Sequence, residues 1–550
     1  MTIRRAALPA ILLVAVCLPM LYALGRWPLM EPDEGRNAEV AREMLVLGDW
    51  AVPHFNGLPF LDKPPVLFWS IAASLRLFGP TELAVRLPMV ASAACLMLLA
   101  YAIARMLLDA RAARWALVVV GTAPLVLVFA RIAIFDLPFT VLVTAALACL
   151  LRTRLTGHGG WLPLAGLAMG LACLTKGPVG FALPLIVWLA ARGALAPAPR
   201  PAGTAAVVAA VVVFLATVVP WLVLVERAQP DFLHYAVVDE TFLRFTSSAR
   251  FDRSGPIYQP LLAAVGGLGI WTFALVGAAT DLRDPSATSA AERTAVRFAI
   301  RAAVTIVVFF TLSASKRPGY VLPAIVPLAI VVAVAVTSAG RSAARGVRMA
   351  AIGAVIVGLL LAGIAAYPAV IKSMPRGQVR AAIAPAMLTA VATVLLVWGA
   401  LVTVAARRWP MAPLVLTATL APALVVVLMG PLQGYAEYRS GRGIAAAIPP
   451  DARVLAFRHF RSSLPFYLGR PVTLATVDGH ELTSNYISSH LGQFAGHPSL
   501  VRPKVARRTI EDTTPLYVVA GSTWGTRFAG AARLRRVTSD RRSTLWVTHD

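Results

Sequence analysis

The chain has 550 residues, 58% of them hydrophobic and only 14% charged, against roughly a quarter charged in an ordinary soluble domain. Lys and Arg number 51 and Asp and Glu 26, a formal net charge of +25. This composition excludes disorder and a soluble globular domain and specifies a polytopic membrane protein, in which basic residues sort loops across the bilayer, so nucleic acid is not needed to explain the charge.

In chain order, Arg4 and Arg5 precede an apolar run at 6–24. Ala23 and Gly25 give a cleavage-like spacing, but the run is long for a signal peptide and reads as an uncleaved first span. Further apolar runs lie at 84–108, 114–131, 135–151, 161–175, 177–192, 203–225, 257–280, 297–315, 319–338, 348–371, 383–406 and 411–431. The expectation is about thirteen transmembrane helices in 1–431, a mostly α fold, followed by a polar region, 432–550, with no run able to span. In that region Arg453–Phe457, Pro471–Val477 and Pro515–Ala520 read as short strands. Residues 461–468 and 481–494 read as helical, so the tail reads as a small α/β domain. The four cysteines, Cys17, Cys95, Cys149 and Cys173, all sit in apolar runs with no CxxC spacing, and read as buried hydrophobes.

Alternate loops are basic, for example Arg105, Arg111 and Arg114, then Arg152 and Arg154, then Arg341, Arg345 and Arg348. The opposite loops hold the acids nearest the spans. This bias places the N-terminus in the cytoplasm and, with thirteen spans, the tail outside. Two long outer loops, 25–83 and 226–256, lie on the tail's side.

The first outer loop carries Glu31-Pro32-Asp33-Glu34-Gly35-Arg36-Asn37-Ala38-Glu39-Val40-Ala41-Arg42-Glu43-Met44. After Asn37 the spacing suits an amphipathic surface helix with Val40, Met44 and Leu47 on one side. A solvated, salt-bridged helix accounts for Glu39, Arg42 and Glu43. Asp33 and Glu34 sit at the juncture of a span and a Pro-turn, where a fixed carboxylate is a candidate base or cation site. Next, Asp62-Lys63 precedes Pro64-Pro65; the lysine either holds a phosphate as a point charge or simply belongs to a turn. Asp136, Lys176, Glu240, Arg244, Lys316, Arg317 and Tyr320 lie at outer ends of spans. Each cation could snorkel, but the whole set on one side suits a phosphate-bearing substrate. No GxxxxGK[ST], HExxH or GxSxG occurs, so the motifs offer no ATP site, zincin helix or nucleophile elbow.

The ordered series Pro32-Asp33-Glu34-Gly35-Arg36-Asn37-Ala38-Glu39, Gly48-Asp49-Trp50, Asp62-Lys63-Pro64-Pro65, Asp136, Thr175-Lys176-Gly177, Pro220-Trp221, Asp231-Phe232 to Arg244-Phe245 and Lys316-Arg317-Pro318-Gly319-Tyr320 resembles the lipid A 4-amino-4-deoxy-L-arabinose transferases. These belong to the protein O-mannosyltransferase-like group of C-type membrane glycosyltransferases. The resemblance covers about 1–340. It implies thirteen transmembrane helices, a periplasmic α/β tail, a bacterial inner-membrane location, and inverting transfer of a sugar from undecaprenyl phosphate to an acceptor such as lipid A. It implies catalytic roles for Asp33 and Asp136, and donor-phosphate or substrate contacts for Glu34, Arg36, Lys63, Lys176, Glu240, Arg244, Lys316 and Tyr320. No cofactor is required, and a divalent metal at Asp62 is the one metal role it raises. The chain departs from the family at Gly35-Arg36-Asn37, where Thr-Arg-Tyr is usual, at Asp62, where Glu is usual, and at Thr241, where a histidine is common. The last two differences weaken a metal site. Transfer of a hexose such as mannose to another glycan or a protein is the neighbouring reading. A transporter of lipid-linked sugars would instead call for midplane charges, broken helices and repeats.

Overall fold

The computed structural model describes residues 2–243, 255–367, 385–512, 515–528, 533–540 and 542–549. Among them, eight helices are long and apolar enough to cross a membrane: Glu82–Leu107, Asp136–Thr156, Thr204–Ala228, Ala290–Leu312, Pro318–Ser338, Gly340–Ala366, Pro385–Arg408 and Ala412–Tyr438. Each matches an expected run, and the chain is a multi-pass membrane protein. The other five expected runs are helical but short or broken, so thirteen is an approximate count. Thr2–Leu21 covers the first. The run at 114–131 breaks because Ala123, preceding Pro124, is extended (φ −67°, ψ 125°), as a residue before proline prefers. The run at 257–280 forms Gln259–Leu268 and Trp271–Ala278, bent by 96°, with Gly269 at φ +63° between them. Leu162–Lys176 and Val179–Ala191 meet at Gly177, also at positive φ.

The chain divides into two compact units. The first comprises Met1–Ala23, Met89–Val223 and Val237–Leu432. Its innermost helix is Pro318–Ser338, with 83% of its apolar window buried within the protein, whereas Thr204–Ala228 has 6% buried. A helix so apolar and so exposed is fitted to lipid. Arg131 is buried here and donates to the carbonyls of Pro19, Met20 and Tyr22, at 3.1, 2.7 and 2.9 Å. Those carbonyls are left unpaired where the first helix ends, and a guanidinium satisfies them with the favourable charge sign.

The second unit comprises Leu24–Pro88, Leu224–Ala236 and Gln433–Asp550. Its last segment takes in the end of the helix Ala412–Tyr438 as well as the polar tail, and the long loop after the first helix clusters with it. That loop forms the helix Asp33–Leu47, a hairpin of β1 (His54–Phe55) and β2 (Leu58–Pro59), and the apolar helix Val66–Phe78. Asn56 and Gly57 at the hairpin tip both have positive φ, the turn that an Asn-Gly pair favours. The Asn56 amide is buried and pairs with the backbone of Val472, donating to its carbonyl at 2.8 Å and accepting from its N–H at 2.7 Å.

Among its described residues the tail holds six strands: β3 (Arg453–Phe457), β4 (Thr473–Ala475), β5 (Leu500–Val501), β6 (Leu516–Gly521), β7 (Leu534–Ser539) and β8 (Ser543–Thr548). Their order is β5-β4-β3-β6-β8-β7, with β3 parallel to β4 and β6, and β8 antiparallel to β6 and β7. The three expected strands are β3, β4 and β6. Leu455, Phe457, Val518 and Trp546 form a core against Ala506 and Ile510 of the helix Pro503–Asp512.

Glu34 and Arg86 form a buried pair, each side chain 1% exposed. Arg86 grips both Glu34 oxygens at 2.8 and 2.9 Å and donates to the carbonyls of Leu24, Trp27 and Pro28. Removing one partner of such a pair strands the other charge, at a cost of about 3–5 kcal/mol. Arg86→Ala is therefore expected to lower the melting temperature of the detergent-solubilised protein sharply. A Tm within a degree or two of wild type would contradict the structural role of the pair.

Candidate functional site

Asp33 and Glu34 open the helix Asp33–Leu47, where a carboxylate opposes the positive helix end. Their fates diverge. Glu34 is buried with both oxygens taken by Arg86, and Oε2 also accepts from the N–H of Met30 at 3.1 Å. The substrate contact expected of Glu34 is therefore corrected to a structural one, because it has no face to offer. The Asp33 side chain is 38% exposed and accepts from Arg36 at 2.7 Å. Arg36 is held in turn by Thr483, at 2.8 Å to the carbonyl and 3.1 Å to the hydroxyl, and by the Phe60 ring at 5.3 Å. Asp33 is thus an oriented carboxylate with solvent access, as a general base or charge-balancing group requires.

Glu31, not singled out from sequence, anchors the turn before Asp33. It meets Arg461 (Nε to Oε2, 2.8 Å), a guanidinium with no solvent exposure, and accepts from the Ser463 hydroxyl at 2.7 Å. Gly35 lies where a Cβ would come 2.5 Å from the Ser463 Cβ and 2.7 Å from its Cα. The glycine in a position usually held by a larger residue is explained by that approach.

Asp62 is 8% exposed. Its Oδ1 accepts from the Tyr235 hydroxyl at 2.7 Å and from the N–H groups of Asn485 and Tyr486 at 3.0 Å each. It ties the first loop to the tail. Among the described residues, no three His, Cys, Asp or Glu side chains gather as a metal set. Lys63 is half-buried, and its ammonium donates to the Asp62 carbonyl at 2.8 Å.

In the other unit, Lys176 Nζ lies 2.6 Å from Asp136 Oδ1, with side chains 15% and 17% exposed. The ammonium also sits 4.4 Å from the Tyr320 ring and 5.2 Å from the Phe139 ring, a cation–π cage that fixes its position. Gly319 makes room for the group: a Cβ there would meet the Phe129 ring at 2.5 Å and Asp136 Cγ at 2.8 Å. Three residues separated widely in sequence, Asp136, Lys176 and Tyr320, are therefore one cluster. Lys316 donates to the Ser313 carbonyl at 2.8 Å. Glu240 lies half-buried in the π-helical segment Tyr235–Leu243, a winding often found at functional places. Arg244 lies outside the described residues.

The helix Asp33–Leu47 corrects a further expectation. Glu39, Arg42 and Glu43 are not solvated: they are 0%, 9% and 3% exposed. Arg42 pairs with Glu39 through two bonds of 2.7 Å. Val40 and Met44 are buried, while Leu47, expected with them, is exposed beside Val46. Burial, followed by the charge of Glu39, pushes the Glu43 carboxyl up to about 9, although the N–H of Gly57 donates to it. Glu43 is then protonated in the folded protein at neutral pH and ionised in the unfolded chain. Folding binds a proton between the ordinary glutamate range and about 9, so stability falls as pH rises through that window, by about 1 kcal/mol per pH unit for one group. Melting temperatures from pH 5 to 9 are expected to fall more steeply for wild type than for Glu43→Gln. Parallel profiles would show that Glu43 ionises normally.

With helices, tail and clusters in place, the chain is a mostly α-helical, polytopic membrane protein with a small mixed sheet toward its C-terminus. A family profile described as dolichyl-phosphate-mannose-protein mannosyltransferase matches residues 62–224. The undecaprenyl phosphate-alpha-4-amino-4-deoxy-L-arabinose arabinosyl transferase 2 of Proteus mirabilis (strain HI4320) is 31% identical over 329 residues, 58% of this chain and 58% of that protein. A transferase of the same description from Erwinia tasmaniensis is 33% identical over 309 residues, 54% of this chain and 53% of that protein. The chain thus spans little more than half the length of these curated relatives. In structure, the match to ArnT from Cupriavidus metallidurans bound to undecaprenyl phosphate has a TM-score of 0.81 and 26% identity, and covers 98% of both chains. The resemblance read from the ordered outer-loop motifs is borne out.

Proposed function

We propose that the protein is an inverting glycosyltransferase of the bacterial inner membrane. It moves 4-amino-4-deoxy-L-arabinose, or a related sugar, from undecaprenyl phosphate to a lipid A phosphate at the periplasmic face. The observation that carries this reading is the likeness along 98% of both chains to a transferase structure holding undecaprenyl phosphate. The basic loops at 105–114, 152–154 and 341–348 favour a cytoplasmic N-terminus and a periplasmic tail.

In the proposed reaction, an acceptor oxygen attacks the anomeric carbon as its bond to the lipid phosphate breaks. Undecaprenyl phosphate leaves with the electron pair, and one displacement inverts the centre without a covalent intermediate. An acceptor hydroxyl gives its proton to Asp33. An acceptor phosphate is already anionic, and Asp33 then orients it or balances charge. The family resemblance assigns Lys63, Lys176, Lys316, Arg36 and Arg244 to the leaving phosphate, whose developing negative charge needs positive charge set in advance. Asp136 sets the position of Lys176 through their 2.6 Å contact, while Tyr320 and Glu240 line the substrate side. Transfer of a hexose to another glycan or protein is the second reading, favoured by the mannosyltransferase profile over residues 62–224.

Asp33→Asn keeps the side chain's size and an acceptor for Arg36 but removes the charge. It is expected to insert and melt like wild type and to lose transfer by about a hundredfold or more. Mass spectrometry of the acceptor after reconstituted turnover checks this, and near wild-type product would remove Asp33 from the chemistry.

A further inference from the structure

The tail's sheet has a topological switch point that the proposed transfer reaction does not use. From β3 the chain runs to β4 on one side, whereas β6 lies on the other side of β3, parallel to it. Segments leaving the carboxyl ends of β3 and β6 therefore diverge, and the crevice between them is where open α/β sheets bind ligands. A cleft of about 550 Å³ lies there. Arg458 and His459, which follow β3, and Gly521, Thr523 and Trp524, at and after the end of β6, line it with Tyr438, Glu481 and Arg542.

The wall carries two arginines, Arg458 and Arg542, and two more, Arg507 and Arg527, stand against Trp524. Arg458, Arg507 and Arg527 place their guanidinium carbons 5.9, 5.5 and 4.7 Å from the Trp524 ring centroid, and none of the three has an ion-pair partner among the described residues. Arg542 Nη1 is buried, makes no hydrogen bond and lies 3.5 Å from Glu31. His459 is neutral at physiological pH, held at about 4 by burial and then by Arg461 and Arg542. Its Nε2 is 2.9 Å from the Ser543 hydroxyl. Among the described residues of the wall Glu481 is the one carboxylate, and it accepts from the Thr476 hydroxyl. Arg458 is also held at φ +46°, a conformation that disfavours any side chain and that native proteins keep mainly where function requires it.

We propose that this cleft binds a phosphorylated sugar. Arg458 and Arg542 take the phosphate, Trp524 gives an apolar wall to the ring, and Glu481 and Thr523 meet hydroxyl or amino groups. The volume is far more than a bare phosphate fills and falls in the range of small-ligand sites. The ligand is either a soluble sugar phosphate or the phosphosugar headgroup of a membrane glycolipid; the recognised chemistry is the same.

Calorimetric titration of the purified full-length protein with glucose 1-phosphate tests this. Saturable binding is expected, tighter than for inorganic phosphate and absent for glucose. Arg458→Gly should weaken it about tenfold or more, while its melting temperature stays the same or rises, because glycine accepts φ +46° without strain. Lys176→Ala, which removes a cation that the proposed transfer site uses for phosphate, should bind as wild type does, and this separates the cleft from that site. Displacement of glucose 1-phosphate by lipopolysaccharide micelles would support a membrane-borne ligand, and lack of displacement a soluble one. Failure of glucose 1-phosphate to bind, equal binding of phosphate or glucose, or unchanged affinity in Arg458→Gly would overturn the proposal.

Discussion

Two buried ion pairs hold the turn that presents Asp33. Glu34 is locked to Arg86, and Glu31 to Arg461, with three of the four side chains at most 1% exposed and Glu31 at 5%. A charge taken out of water is tolerated only when its partner and hydrogen bonds are complete. Here Arg86 also closes three carbonyls, and Ser463 donates to Glu31. Sequence position 33 therefore inherits its place from residues on both sides of it. It is the acid of the turn left partly open to solvent.

The same sorting runs through the other charges. Arg131 closes the end of the first helix, Arg42 neutralises Glu39, and Asp62 gathers three donors from the tail and the second loop. These groups are expensive to bury and are spent on architecture. Lys176 is held differently: its ammonium rests between Asp136 and two aromatic rings, with the side chain still 15% exposed. A lipid-linked phosphate leaving group needs such a preset cation, because protein dipoles fixed in advance need not reorganise as charge develops.

The spans were legible because the bilayer demands long apolar runs, and the described residues of each expected run are mostly helical. Their continuity was less legible. Pro124 and Gly269 each interrupt a run that hydropathy alone reads as one. Asp33, Asp136, Lys176 and Tyr320 were legible as charged or aromatic residues at span ends, and the structure brings the last three together. Glu34 looked equivalent to Asp33 because its partner, Arg86, is 52 positions away, and only tertiary packing tells them apart. The solvated reading of Glu39 and Glu43 failed for the same reason: an amphipathic pattern marks one apolar face but not what covers the other. The hairpin at Asn56-Gly57 went unread, although that pair favours such a turn. The β7–β8 hairpin was harder to read, since the burial of β7 does not alternate and β8 is buried at almost every position.

The central claim is transfer from a polyprenyl-phosphate sugar. The direct measurement is a reconstituted assay in which purified protein meets undecaprenyl phosphate carrying either aminoarabinose or a hexose, with lipid A and a peptide as competing acceptors. Mass spectrometry should find aminoarabinose on a lipid A phosphate, and NMR of that product should find the anomeric centre inverted. Hexose appearing only on the peptide would replace the substrate assignment, and no transfer from either donor would contradict the glycosyltransferase itself.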